Sequence, residues 1–284
     1  MKLQTSTGRK FWLTALVLPL FALATSCSSA TDSTDPDSDD SNEPTTQGNT
    51  AEVFFVAENA GGTALVLFSE FVTIKQTDEL AEEILGDLIE GELQPMDPDY
   101  SNLWDNSNEL NDITISGDVA TIDINLGKLN VGAEAEQRAI DQLVWTLTGI
   151  ESNITTVRLL VNGKQVETLA GHVDATMDFT RAPDYEVLNA VQIHSPNEGQ
   201  QFEASVTIMG QACTFEANVA WDLIKDGKMV QDGSTTAAMA CPDRSDWSVD
   251  LGVLEPGTYV FNAREYSAED GSLTSEDTKT FIVK

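Results

Sequence analysis

Apolar residues in this chain alternate between strand period and helix period up to residue 163, then keep to strand period from residue 202 onward. No other feature limits the fold as much, because one backbone segment cannot satisfy a period of two and a period of 3.6 together. Val53-Phe54-Phe55-Val56 reads as a strand, and Gly61-Gly62 as a turn into a second strand over 64–75. Thr77-Asp78-Glu79 offers a helix cap with acids in the first turn. Leu80, Ile84, Leu85, Leu88 and Ile89 follow at helical spacing, and Gly91 is the stop. Residues 94–108 read as a loop rich in Pro, Asp and Asn.

A hairpin comes next. Ile113 and Ile115 lead to Ser116-Gly117-Asp118, and Ala120, Ile122, Ile124 and Leu126 alternate with Thr121, Asp123 and Asn125. A second helix over 133–147 lines up Ile140, Leu143, Val144 and Leu147, with Gly149 as its expected stop. A strand over 154–161 ends in an Asn162-Gly163 turn. This order predicts an α+β domain over 51–185, two helices on a mixed sheet.

The second domain, 189–284, reads as an all-β sandwich of about seven short strands. Phe202, Ala204, Val206 and Ile208 form one apolar face, and Phe215, Ala217, Val219, Trp221 and Leu223 another. Asp226-Gly227 marks a two-residue hairpin. Further strands fit 229–238, 247–251, 258–266 and 274–283.

Ahead of both domains, residues 12–27 form an apolar run preceded by Lys2, Arg9 and Lys10 and no acid. This is an export signal, too short and too interrupted by Pro19 for a spanning helix of about 20 residues. Ala24-Thr25-Ser26-Cys27 resembles a bacterial lipobox, which implies lipidation of Cys27 and anchoring on the extracytoplasmic face of the cell membrane. The alternative is an ordinary secretory signal cut near Ala30. Residues 28–50 have almost no apolar side chain and read as a disordered acidic linker. With Cys27 assigned to the signal, Cys213 and Cys241 are left to pair in an oxidising compartment.

The formal charge of -32 comes from 47 acids against 15 bases, and the signal holds three of those bases. Such a surface excludes nucleic acid as a partner. No phosphate-binding loop, metal-ligand cluster or nucleophile–base pair stands in the sequence, so no cofactor and no catalysis are expected. His172 and His194 read as structural or surface residues. The acid groups Asp97, Asp99 and Asp105, and Glu265, Glu269 and Asp270, read as hydrated loops in preference to calcium sites. Glu216 reads as a turn-fixing residue.

Gly117-Asp118-Val119-Ala120-Thr121-Ile122-Asp123, Gln142-Leu143-Val144-Trp145-Thr146-Leu147-Thr148 and Val157-Arg158-Leu159-Leu160-Val161-Asn162-Gly163-Lys164 resemble the sporulation and spore-germination domain GerMN. The tail Leu169-Ala170-Gly171-His172 fits that family's ending. The loop over 94–110 departs from the family pattern, and its Trp104 reads either as an exposed specificity residue or as core filling. Val206-Thr207-Ile208-Met209-Gly210-Gln211-Ala212, Phe215-Glu216-Ala217-Asn218-Val219-Ala220-Trp221 and the segment Tyr266-Ser267-Ala268-Glu269-Asp270-Gly271-Ser272 resemble the immunoglobulin-like domain of bacterial spore germination. Together the resemblances imply a non-catalytic envelope lipoprotein that binds a protein partner. The alternative is a cell-wall glycan or peptidoglycan module aided by calcium, which a groove with Trp247, Tyr259 or Tyr266 exposed would support.

Overall fold

The computed structural model describes residues 48–284. The export signal, Cys27 and most of the linker lie outside the described residues. In the first domain β1 (Asn49–Glu58) and β2 (Leu65–Ile74) pair antiparallel, with Phe55 opposite Phe68. β1 is buried on both faces, which is why its centre is a continuous apolar run. Val53 and Phe55 enter the main core, while Phe54 and Val56 pack with Leu67, Trp145, Val187 and Leu188.

Helix α1 (Leu80–Ile89) buries Ala81, Ile84, Leu85, Leu88 and Ile89, the stripe its spacing predicts. Its start differs from expectation: no side chain caps it, and the Thr77 hydroxyl instead accepts the Glu79 N–H, 3.1 Å away, just before the helix. Its end is held at Gly91 (φ +70°), where a Cβ would also stand 2.8 Å from the Asp105 backbone.

The mixed sheet is three-stranded, in the order β3 (Glu109–Ser116), β4 (Val119–Asn125), β5 (Thr156–Val161), with β4 and β5 parallel. β1 and β2 form a separate ladder, because the outer side of β1 is taken by the loop: Val56 and Ser101 exchange backbone hydrogen bonds of 2.9 and 2.8 Å. Helix α2 (Ala133–Ile150) packs on β1 and β2, and α1 on β3. α2 does not stop at Gly149. It runs to Ile150, and the bare Cα of Gly149 leaves room for Arg181, whose Nη2 would stand 3.3 Å from a Cβ there. That guanidinium donates to the Trp145 carbonyl at 2.8 Å and lies 4.3 Å from the indole centroid.

A single turn of helix, α3 (Asp184–Val187), leads into the second domain. One sheet holds β11 (Ser245–Val253), β8 (Ser205–Ala212) and β6 (Val191–Ser195). The other orders β10 (Lys228–Thr236), β9 (Asn218–Lys225), β12 (Gly257–Tyr266), β13 (Leu273–Val283) and β7 (Gln200–Phe202). Between them lie Val206, Ile208, Val219, Leu223, Trp247, Phe261 and Phe281. The Asp226-Gly227 hairpin forms with both residues at positive φ, 53° and 71°, as a primed turn requires.

One predicted strand begins late. Phe215–Ala217 is a 3-10 turn, because Glu216 and Ala217 sit at φ 54° and 57°, and β9 starts only at Asn218. Phe215 consequently leaves the alternation and stands 62% exposed. Cys213 and Cys241 form the expected disulfide, closing this corner onto the β10–β11 loop.

Candidate functional site

Strand β13 carries its inward face through Ser275, Asp277, Lys279, Phe281 and Val283, all of them buried. The last two fill the sandwich core. Asp277 and Lys279 stand in the same row and meet the loop over 95–108 of the first domain. Lys279 Nζ donates to Asp97 Oδ2 (2.5 Å), to the Tyr100 hydroxyl oxygen (2.5 Å) and to Asp277 Oδ1 (3.2 Å). Tyr100 in turn donates its O–H to Asp277 Oδ1 at 2.6 Å, and Ile193 N–H donates to Asp277 Oδ2 at 2.6 Å. Tyr100 stacks on Phe68, and the Lys279 ammonium lies 4.4 Å from its ring centroid. The loop is held from the first domain by Glu70, whose carboxylate accepts the N–H groups of Met96 and Asp97.

Burial by itself pulls the Lys279 ammonium down, but Asp277 and Asp97 outweigh it and hold its pKa above the ordinary lysine value. Burial pushes the Tyr100 phenol well up, and Asp277 and Asp97 push it further. The cluster therefore keeps one ammonium and one neutral phenol across the ordinary pH range. Around it, Gln192 of β6 accepts the Ser69 N–H and donates to the Leu67 carbonyl, so the two domains also share a polar seam. Such fully bonded buried groups specify one arrangement more than they add stability.

The loop that reads from sequence as a specificity element is thus mostly interior. Trp104 is 2% exposed and donates its indole N–H to the Ala139 carbonyl at 3.0 Å, which settles it as core filling. Asp97 is occupied by Lys279, and Asp105 accepts from the Ser107 N–H and hydroxyl. Asp270 likewise closes a turn onto Ser272, and Glu265 accepts from Phe215 N–H and the Thr274 hydroxyl. Among the described residues no group of three or more His, Cys, Asp or Glu is placed to hold a metal ion.

Of the histidines, His172 is exposed and gives its backbone N–H to Glu136. His194 lies 3.3 Å from the Ser69 hydroxyl and edge-on to Phe71, and burial pulls its imidazole pKa down. The serine's Oγ also lies 3.2 Å from Gln192 Oε1, a second hydrogen bond inside the interdomain seam. Trp247 and Tyr259 are each 3% exposed, so a glycan groove built on them does not form; Tyr266 alone of the three is open.

Two residues carry structural weight that the motifs do not announce. One is Lys279. The other is Glu136 on α2, fully buried, whose carboxylate accepts three backbone N–H groups from Leu169, Ala170 and His172 and so pins the tail of the first domain.

The molecule is therefore an α+β domain locked to an immunoglobulin-like β-sandwich. Residues 52–167 match the family described as sporulation and spore germination, and residues 190–272 the immunoglobulin-like domain of bacterial spore germination. The chain carries a GerMN-type domain followed by a spore-germination immunoglobulin-like domain. No curated protein matches it significantly. Among solved structures, the first GerMN domain of the sporulation protein GerM from Bacillus subtilis is 19% identical, with a TM-score of 0.39, over 47% of this chain and 98% of that one. The tandem GerMN domains of the same protein are 13% identical, with a TM-score of 0.40, over 72% of this chain and 62% of that one. A Clostridium perfringens protein assigned to the lipoproteins is 19% identical, with a TM-score of 0.33, over 47% and 88%.

Proposed function

We propose that this chain is a non-catalytic envelope lipoprotein, tethered to the membrane through Cys27, whose two domains act as one rigid protein-interaction module. The Lys279–Asp97 pair carries this reading: a buried, fully bonded link between domains fixes their relative orientation, which an assembly module needs and a flexible spacer does not. The family matches agree with it, since both domains belong to sporulation and germination families. Among the described residues no helix is long and apolar enough to cross a membrane. On this reading attachment falls to the lipid on Cys27, at the head of the acidic stretch.

The test has two arms. Metabolic labelling with a palmitate analogue should mark the wild type and not Cys27→Ser, which should also leave the membrane fraction. Crosslinking in intact envelopes, followed by capture and mass spectrometry, should recover a specific protein with the wild type and markedly less of it with Lys279→Met. Recovery of nothing above an untagged control would count against an interaction role.

A further inference from the structure

Tyr185 and Phe215 are 51% and 62% exposed, and both line one hollow of 610 Å³ around the Cys213–Cys241 bridge. A single exposed aromatic is ordinary. Here two share a concavity, and the backbone beneath each is pinned. The α3 turn that presents Tyr185 is held by Arg244, 8% exposed, whose Nε lies 3.3 Å from Asp184 Oδ2 and whose Nη2 donates to the Asn189 carbonyl at 2.9 Å. Phe215 gives its N–H to Glu265 Oε1 at 2.8 Å, and the disulfide ties the same corner to the β10–β11 loop. Glu216 and Ala217 hold left-handed backbone, a conformation that residues other than glycine rarely adopt, and this is what turns Phe215 outward. The aromatic pair is presented on a preorganised surface, which lowers the ordering cost of binding.

The chemistry of the lining selects the occupant. Beside the two rings stand Glu216 and Glu265; among the described residues no Asn, Gln, Ser, Thr, Lys or Arg side chain lines the hollow. Both Glu265 oxygens are occupied, by Phe215 N–H and by Thr274. The exposed Glu216 carboxylate has no hydrogen-bond or ion-pair partner among the described residues. Aromatic faces and a free carboxylate both attract cations, and 47 acids against 15 bases add a long-range field of the same sense. A sugar would meet too few fixed donors and acceptors here.

We propose that this hollow docks a basic segment of a partner protein, with a Lys or Arg stem laid on Phe215 and Tyr185 and its charge on Glu216. The proposal rests on the interaction reading above and names the chemistry of that partner.

Isothermal titration of the mature chain with hexaarginine amide at 0.15 M NaCl tests it, with Glu203→Gln, an exposed carboxylate elsewhere on the sandwich, as control. Phe215→Ala should weaken binding about fivefold, Glu216→Gln and Glu216→Gly about tenfold, and Glu203→Gln less than twofold. Glu216→Gly suits the positive φ and should not lower the melting temperature, so its weaker binding cannot come from unfolding. No binding by wild type, equal losses in all four variants, or chitohexaose binding that depends on Phe215 would each overturn the proposal. An envelope partner captured equally by wild type and Glu216→Gly would leave the interaction reading standing and remove this site from it.

Discussion

Lys279 and Asp97 are 182 positions apart in the chain, yet Lys279 Nζ lies 2.5 Å from Asp97 Oδ2 with the two side chains only 3% and 2% exposed. A charge taken this far out of water survives only when it is well partnered, and here the ammonium meets two carboxylates, a phenol oxygen and a ring face.

Lys279→Met should therefore destabilise the protein by about 3–5 kcal/mol, because Asp97 and Asp277 would stay buried without a counter-charge. Replacing all three together, Lys279→Met with Asp97→Asn and Asp277→Asn, should recover at least half of that loss. Urea unfolding followed by circular dichroism measures both.

The same cluster sets an alkaline limit. Lys279 titrates above its ordinary value in the folded state, so its contribution is complete below the unfolded pKa and disappears as pH rises through the folded one. Tyr100 also keeps its proton longer when folded, so the folded state binds more protons and stability falls above the unfolded phenol's pKa of about 10. Both signs agree. Melting temperature should hold between pH 7 and 9 as far as this cluster decides it, then drop above about pH 10. In the triple variant carrying Tyr100→Phe as well, that drop should be much shallower.

Reduction of Cys213–Cys241, which are 28 positions apart, should cost about 3–4 kcal/mol on the chain-entropy estimate. Urea midpoints with and without dithiothreitol would show it, and Cys213→Ser with Cys241→Ser should match the reduced protein.

Glu136→Gln leaves an amide where a carboxylate accepts three backbone N–H groups. Loss of the charge-assisted bonds should lower stability by roughly 1.5–3 kcal/mol and expose the tail over 167–175 first. Amide exchange of Leu169 and Ala170 would read this directly.

Periodicity made most of the fold legible. The stripe of α1, the alternation of β4 and the Asp226-Gly227 and Asn162-Gly163 turns all follow from local pattern, since each depends on neighbours within a few residues. The failures are positions where distant contacts overrule that pattern. Gly149 looks like a helix stop but is a clearance for Arg181. Phe215 looks like the first inward residue of a strand, but left-handed backbone at Glu216 and Ala217 expels it. Lys279 carries a local signal all the same: Asp277 and Lys279 continue the every-second-residue row of Phe281 and Val283, which puts an ion pair on a core-facing row. The identity of its partner could not be read, because nothing local links β13 to the loop over 95–108. Cys27 rests on sequence alone, outside the described residues.

That the two domains work as one body is most directly tested by scanning calorimetry of the mature chain. A single transition with equal calorimetric and van't Hoff enthalpies is expected, splitting into two in Lys279→Met. Two separate transitions in the wild type, or a Lys279→Met profile superimposable on it, would contradict the account.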